Sequence, residues 1–178
     1  EEYLAFLAQF LPELIAELKK IGIFNKSYFH VSDEPASDMK DNYSICSKFL
    51  RKYISSDRIF DALGDISFYH EGLISCPVVS LDHIHTFIEA KVPTLWGYYC
   101  CGHDRTSNRF LALPAGQNRM LGLQLYKFNI KGFLQWGFNF YNSHMSLEQI
   151  DPYASSTAGG WVPGGDPYVV YPGADGNA

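Results

Sequence analysis

The sequence predicts an α/β fold with a parallel sheet, on three observations. Helical apolar stripes alternate with short aromatic or β-branched runs, about once every 30 to 40 residues, as helical crossovers between parallel strands require. The strand-like runs finish in acids, amides and aromatics, where such folds keep their chemistry. The composition is that of a packed domain: 178 residues, 47% hydrophobic, 16% aromatic and 19% charged.

Residues 2–20 carry Leu4, Leu7, Leu11, Leu14, Leu18 and Ile21 at three- and four-residue steps, which places them on one helix face. Pro12 interrupts the pattern, Lys19 and Lys20 suit the C-terminal end, and Gly22 suits the cap. Residues 27–33 read as a strand stopped by Pro35, which has no N–H for a ladder. Its alternation puts His30, Ser32 and Glu34 on a polar face and Phe29, Val31 and Asp33 on the other. A helix follows over 41–55, with Ile45, Phe49, Leu50 and Tyr53 inward. Strands are expected at 58–63, within 73–81, at 93–101 and at 132–141, with helices at 82–90 and 115–130. In the last helix Met120, Leu121, Leu123, Leu125 and Phe128 are expected to point mostly inward. Residues 1–150 thus form the strands and helices, and the Gly/Pro-rich residues 151–178 an ordered loop packing on them. Five strands fall short of a complete eight-stranded barrel, which takes about 250 residues. The sheet is therefore open, or the chain is the C-terminal part of a barrel.

The net charge of −5 and the lack of a basic stripe argue against a nucleic-acid partner. No apolar run approaches the roughly 20 residues of a membrane span. Cys46, Cys76, Cys100 and Cys101 contain no C-x-x-C pair and read as free, mostly buried thiols, which leans toward a reducing, cytoplasmic setting. His83 and His85 open a predicted helix, where an i, i+2 pair diverges, so no metal site is expected. His103, Asp104 and Arg105 form a polar turn or a cleft rim. No nucleophile elbow, phosphate loop or dinucleotide fingerprint occurs, and no cofactor is expected.

The strand ends carry the candidate chemistry. The first ends in Asp33 and Glu34, the second runs into Asp61 and Asp65, the fourth offers Trp96 and Tyr98, and the fifth offers Gln135, Trp136, Asn139 and Tyr141. Carboxylates and amides to bind hydroxyls, with flat rings for stacking, suit a carbohydrate cleft. His30, Asp65, Trp96, Tyr98, Trp136, Asn139 and Tyr141 are the candidate substrate-binding residues. The plain alternatives are a capping Asp33 beside a solvated Glu34, and tryptophans that merely fill the core.

Six segments in order, Tyr28–Pro35, Asp61–Asp65, Leu95–Cys101, Ser107–Pro114, Gly132–Tyr141 and Gly165–Pro172, together resemble the C-terminal catalytic domain of glycoside hydrolase family 123, widespread in bacterial proteins. The resemblance implies a (β/α)8 barrel of which this chain is the C-terminal part, an upstream β-sandwich, and β-N-acetylgalactosaminidase activity. It implies that Glu34 is the general acid/base and that Asp33 orients the substrate's 2-acetamido group. The implied partners are a carbohydrate and the missing N-terminal part of the same protein. Such substrate-assisted enzymes need no protein nucleophile, because the acetamido oxygen attacks the anomeric carbon. The competing readings are a non-catalytic carbohydrate-binding or structural barrel fragment, and a glycosidase without the acetamido requirement.

Overall fold

The computed structural model describes residues 2–175; residue 1 and residues 176–178, the end of the expected tail segment, lie outside the described residues. The elements are α1 (Glu2–Lys20), α2 (Lys40–Leu50), β1 (Phe60–Leu63), α3 (Ser67–His70), β2 (Cys76–Ser80), α4 (Ile84–Glu89), β3 (Trp96–Tyr98), α5 (Ala115–Lys127) and β4 (Gly132–Leu134). The fold is mixed α/β, with a four-strand sheet in the order β1-β2-β3-β4. Four strands are assigned among the described residues, against five expected. The chain forms two compact units: Glu1–Val79 with Val92–Leu95, and Ser80–Lys91 with Trp96–Ala178.

In the first unit, α1 ends in a Schellman motif. Ile23 N–H donates to Leu18 O (3.0 Å), Gly22 N–H donates to Lys19 O (3.1 Å), and Gly22 adopts φ +78°. Leu11 and Ile15 join Leu50, Ile54 and Ile59 in a core on which Phe29 and Val31 also pack. Ile21 was expected on this face but is exposed, because the helix terminates there. In α2 the inner face is Tyr43, Ser47 and Leu50, and Ile45 points outward. The inner polar groups have acceptors waiting: Tyr43 donates to Asp61 and Ser47 donates to Leu73 O at 2.8 Å. β1 and β2 pair in parallel, from Phe60 opposite Cys76 to Leu63 opposite Val79.

The expected strand at 27–33 is reduced to a single parallel bridge, Phe29 with Ile59. Phe29 N–H donates to Arg58 O (2.8 Å) and Phe60 N–H to Phe29 O (2.9 Å), so the ladder begins. It then stops, because the amides of Val31 and Ser32 donate to the side chain of Asp61 at 2.7 and 3.2 Å. A carboxylate stands in for the neighbouring strand's carbonyls, and Glu34 N–H regains a backbone acceptor only at Ala62 O, 3.0 Å away.

In the second unit, β3 and β4 pair in parallel, Trp96 with Gly132 through Tyr98 with Leu134. Tyr99, Phe110 and Leu121 form the core, with Leu125 and Phe133 against it. Only Leu121 of α5 is fully buried; Met120, Leu123 and Phe128 are exposed, since a single i, i+4 pair, Leu121 and Leu125, is enough to meet that core. β3 ends at Tyr98 rather than 101, because the next amides leave the ladder: Cys100 N–H donates to His103 Nδ1 (2.9 Å) and Cys101 N–H to Asp166 Oδ2 (2.6 Å). The strand expected through residue 141 stops at Leu134, and the chain beyond it pairs with the tail instead. Asn139 forms an antiparallel bridge with Tyr168, Val169 N–H donates to Phe138 O (2.9 Å), and Phe140 N–H donates to Pro167 O (3.1 Å).

All four cysteines are free, as expected, yet only Cys76 is buried; Cys46 and Cys100 are half-buried and Cys101 is exposed. Cys101 sits at φ +44°, in the turn that lifts it off the sheet. Among the described residues no helix is long and apolar enough to cross a membrane.

Candidate functional site

In the first unit the candidate residues gather around a buried acid. Asp61 is 1% exposed, at the second position of β1. Its Oδ1 accepts the amides of Val31 and Ser32 and lies 2.9 Å from His30 Nδ1; its Oδ2 accepts the Tyr43 hydroxyl at 2.5 Å. A buried carboxylate needs this many donors to be tolerated. Burial foremost, and the Asp61 charge beside it, push the Tyr43 phenol far above its ordinary value, so Tyr43 remains a donor.

This anchor sets the turn that follows. Asp33 and Glu34 are both exposed, at the end of the paired segment beside Ala62, while Pro35 after them is buried. Glu34 adopts φ +42°, a left-handed backbone that a non-glycine residue adopts at a cost of about 1–2 kcal/mol. The conformation persists because Asp61 grips the chain before it and Pro35 is buried after it.

Asp65 serves the same loop from the other side. It accepts the Ser37 hydroxyl at 2.6 Å and the Ser67 amide at 2.9 Å, joining the segment after the acid pair to the start of α3. Those hydrogen bonds, Ser37 first, hold its carboxyl down from an ordinary 3.8 to about 2. A depressed carboxylate stabilises the fold above its unfolded value and loses that contribution as pH falls through its folded value. The urea midpoint of Asp65→Asn should therefore lie below that of the wild type above pH 4, and the gap should close between pH 3.8 and about 2. A gap independent of pH would show that charge plays no part.

In the second unit a buried acid again organises the surroundings. Asp166, in the Gly/Pro-rich tail, is fully buried. Its Oδ2 accepts the Cys101 amide, its Oδ1 accepts the Trp136 indole N–H at 3.0 Å, and its backbone carbonyl accepts Gln135 Nε2 at 2.9 Å. Gln135 Oε1 in turn accepts Arg109 Nη1 at 2.9 Å. Burial raises the Asp166 carboxyl above its ordinary value, and the amide of Cys101 and the indole of Trp136 oppose that rise. His103 accepts the Cys100 amide at Nδ1, so its Nε2 is the ring nitrogen free to donate to Ser80 Oγ, 3.1 Å away.

The remaining expected residues lie in this unit. Trp96 lies over Gly132, where a Cβ would come within 2.3 Å of the indole ring. Tyr98 is buried and meets His103 edge-on at 5.9 Å. Asn139 is exposed and pairs with the tail through its backbone. Tyr141 donates its hydroxyl to Val170 O at 2.8 Å, which gives it a role in holding the tail. Trp136 stands in a group of rings with Phe140 and Trp161.

The family model described as "Glycoside hydrolase 123, catalytic domain" matches residues 1–178. The chain belongs to glycoside hydrolase family 123. A solved structure similar to the family 123 chain is a family 123 glycoside hydrolase from Clostridium perfringens, described in terms of glycolipid glycan hydrolysis. The likeness has a TM-score of 0.72 at 21% identity; it covers 98% of this chain and 30% of that one, so the family 123 chain spans about a third of that protein's length. No curated protein sequence matches significantly. The sequence reading of the family 123 chain missed Asp166 and Trp161. Their signal was an acid set between Gly165 and Pro167, inside the Gly165–Pro172 segment that carries part of the resemblance, and a tryptophan between Gly160 and Val162 in the Gly/Pro-rich loop.

Proposed function

We propose that this chain carries the acid pair of a retaining, substrate-assisted glycoside hydrolase acting on β-linked N-acetylgalactosaminides or related N-acetylhexosaminides, within a (β/α)8 barrel. The observation that supports it most is the Asp33–Glu34 turn: two adjacent exposed carboxylates, held beside β1 in a strained backbone by the buried Asp61. Adjacent carboxylates serve neighbouring parts of one sugar. Asp33 accepts the acetamido N–H and steadies the positive charge that develops on the amide. The acetamido oxygen attacks C1 while Glu34 gives its proton to the departing glycosidic oxygen. The product is an oxazolinium ion. Glu34, now ionised, takes a proton from water; that water opens the ring at C1, restoring the acetamide and retaining the configuration. The Clostridium perfringens relative suggests the glycan of a glycolipid as one substrate source.

Glu34→Gln, made in the protein as it is naturally produced, should lower turnover by about 10²–10⁴ on substrates with poor leaving groups and much less on activated aryl glycosides. Equal losses on both would remove the acid role. A thiazoline mimic of the oxazoline should inhibit tightly, and a substrate lacking the acetamido group should turn over poorly.

A further inference from the structure

We propose that His103 is a pH-sensitive latch: its neutral ring closes the turn after β3 by accepting the Cys100 amide, and a second ring proton opens that turn while Cys101 stays anchored. The inference needs neither the acid pair nor hydrolysis, since every residue it uses lies in the second unit.

The half-buried ring of His103 joins two strand ends. Its Nδ1 lies 2.9 Å from the backbone nitrogen of Cys100, just past β3, and its Nε2 lies 3.1 Å from the Oγ of Ser80, the buried last residue of β2. A backbone N–H can only donate, so Nδ1 must present its lone pair, and the single proton of the neutral imidazole sits on Nε2. The backbone of His103 grips the same residue, its N–H donating to Cys100 O at 3.0 Å. Its carbonyl accepts Asn108 Nδ2 at 3.1 Å, and Asn108 is buried. The edge-on contact with Tyr98 fixes the plane of the ring. The turn after β3 is thus wound around one imidazole in one tautomer.

A second proton has one place to go. On Nδ1 it would point at the Cys100 N–H, setting two donors face to face, while the Nε2–H bond to Ser80 survives. An attractive contact becomes a repulsive one, and the amide loses that acceptor. Asp166, on the tail, favours the charged ring. Burial foremost raises the Asp166 carboxyl, and a charge on His103 is among the influences that lower it. Asp104 and Arg105, next on the same loop, are exposed and of opposite sign, and Asp82 and His83 beyond Ser80 are exposed as well. Cys101 N–H donates to Asp166 Oδ2 at 2.6 Å, and a cation nearby keeps that acceptor ionised, so this anchor holds when the one at Cys100 fails. The latch is closed above the range in which an imidazole ordinarily takes its second proton, about pH 6.5, and is lost as pH falls through it.

The test follows the isotope-labelled full chain by NMR between about pH 7.5 and about pH 5.5, above the ordinary carboxylate range. It reads the ring nitrogens of His103 and the hydrogen-exchange protection of the Cys100 and Cys101 amides, each corrected for its intrinsic exchange rate. At the higher pH, Nδ1 should show the shift of an unprotonated acceptor. On acidification the Cys100 amide should lose protection about tenfold, the equivalent of one hydrogen bond, in step with the ring, while the Cys101 amide keeps its own. His103→Asn can place a carboxamide oxygen near the position of Nδ1, and that oxygen takes up no proton in this range; its Cys100 amide should be equally protected at both ends. A protonated Nδ1 at the higher pH would overturn the proposal, as would Cys100 protection that does not follow the ring. Joint loss at Cys100 and Cys101 would also overturn it, since that marks general loosening in acid. So would a His103→Asn protein that loses Cys100 protection in acid as the wild type does. If His103→Asn fails to fold, the wild-type titration decides alone, by whether ring and Cys100 amide change together while Cys101 does not.

Discussion

Asp61→Ala should destabilise the protein by roughly 3–5 kcal/mol, the scale of removing one partner from a buried charge network. The loss strands a buried tyrosine hydroxyl and two amides at once, because Tyr43, Val31 and Ser32 all donate to that carboxylate. Against a total stability of about 5–15 kcal/mol, this takes a large share of what holds the chain folded. Tyr43→Phe removes only one donor and should cost about 1–2 kcal/mol. The two residues touch, so their effects should not add; a double-mutant cycle followed by urea unfolding should give a coupling of roughly 0.5–3 kcal/mol. Additivity would mean that the hydroxyl contributes nothing through Asp61. Asp61→Asn is the informative milder change: it keeps one acceptor oxygen but presents an amide donor where donors already converge. It should preserve the fold better than alanine and still disturb the Asp33–Glu34 turn.

Gly137→Ala should cost about 3 kcal/mol or more. A Cβ there would sit 2.5 Å from Pro167 O, 2.6 Å from Pro167 Cα and 2.7 Å from Asp166 O, all backbone atoms that no side-chain rotation can move aside. Typical overpacking costs about 1–3 kcal/mol, and a backbone obstacle belongs at or above the top of that range. Residues 166 and 167 would have to withdraw, releasing the Trp136 indole from Asp166, so the tryptophan emission should shift as well as the unfolding midpoint. Gly122→Ala is the control of opposite sign. Nothing lies within 4 Å of a Cβ at that position in α5, and alanine favours a helix interior over glycine by about 0.5–1 kcal/mol. If Gly137→Ala left stability unchanged, the close approach of the tail would not be a determinant of the fold.

Much of this architecture was legible from residue patterns, and the misreadings share a cause. The leucine steps of α1, its glycine cap and the alternation of strands with helices rest on interactions local in sequence, which periodicity reports. The segment at 27–33 has the alternation of a strand, but its ladder is cut by a side chain thirty residues away. The strand from Gly132 likewise reads as ten residues and forms three, because the tail claims the rest. The Asp33–Glu34 pair stood out as adjacent acids before a proline. Asp166 did not, because its importance lies in partners 30 and 65 positions earlier that glycine-rich composition conceals.

That separation bears on the order in which the protein is made. A ribosome releases Cys101 and Trp136 well before residue 166, so the carboxylate that fixes both emerges 65 and 30 residues after them. Until then the indole has no anchor, and the loop after Tyr98 lacks one of its two amide acceptors. This half of the molecule thus cannot reach its final packing until residue 166 has left the ribosome.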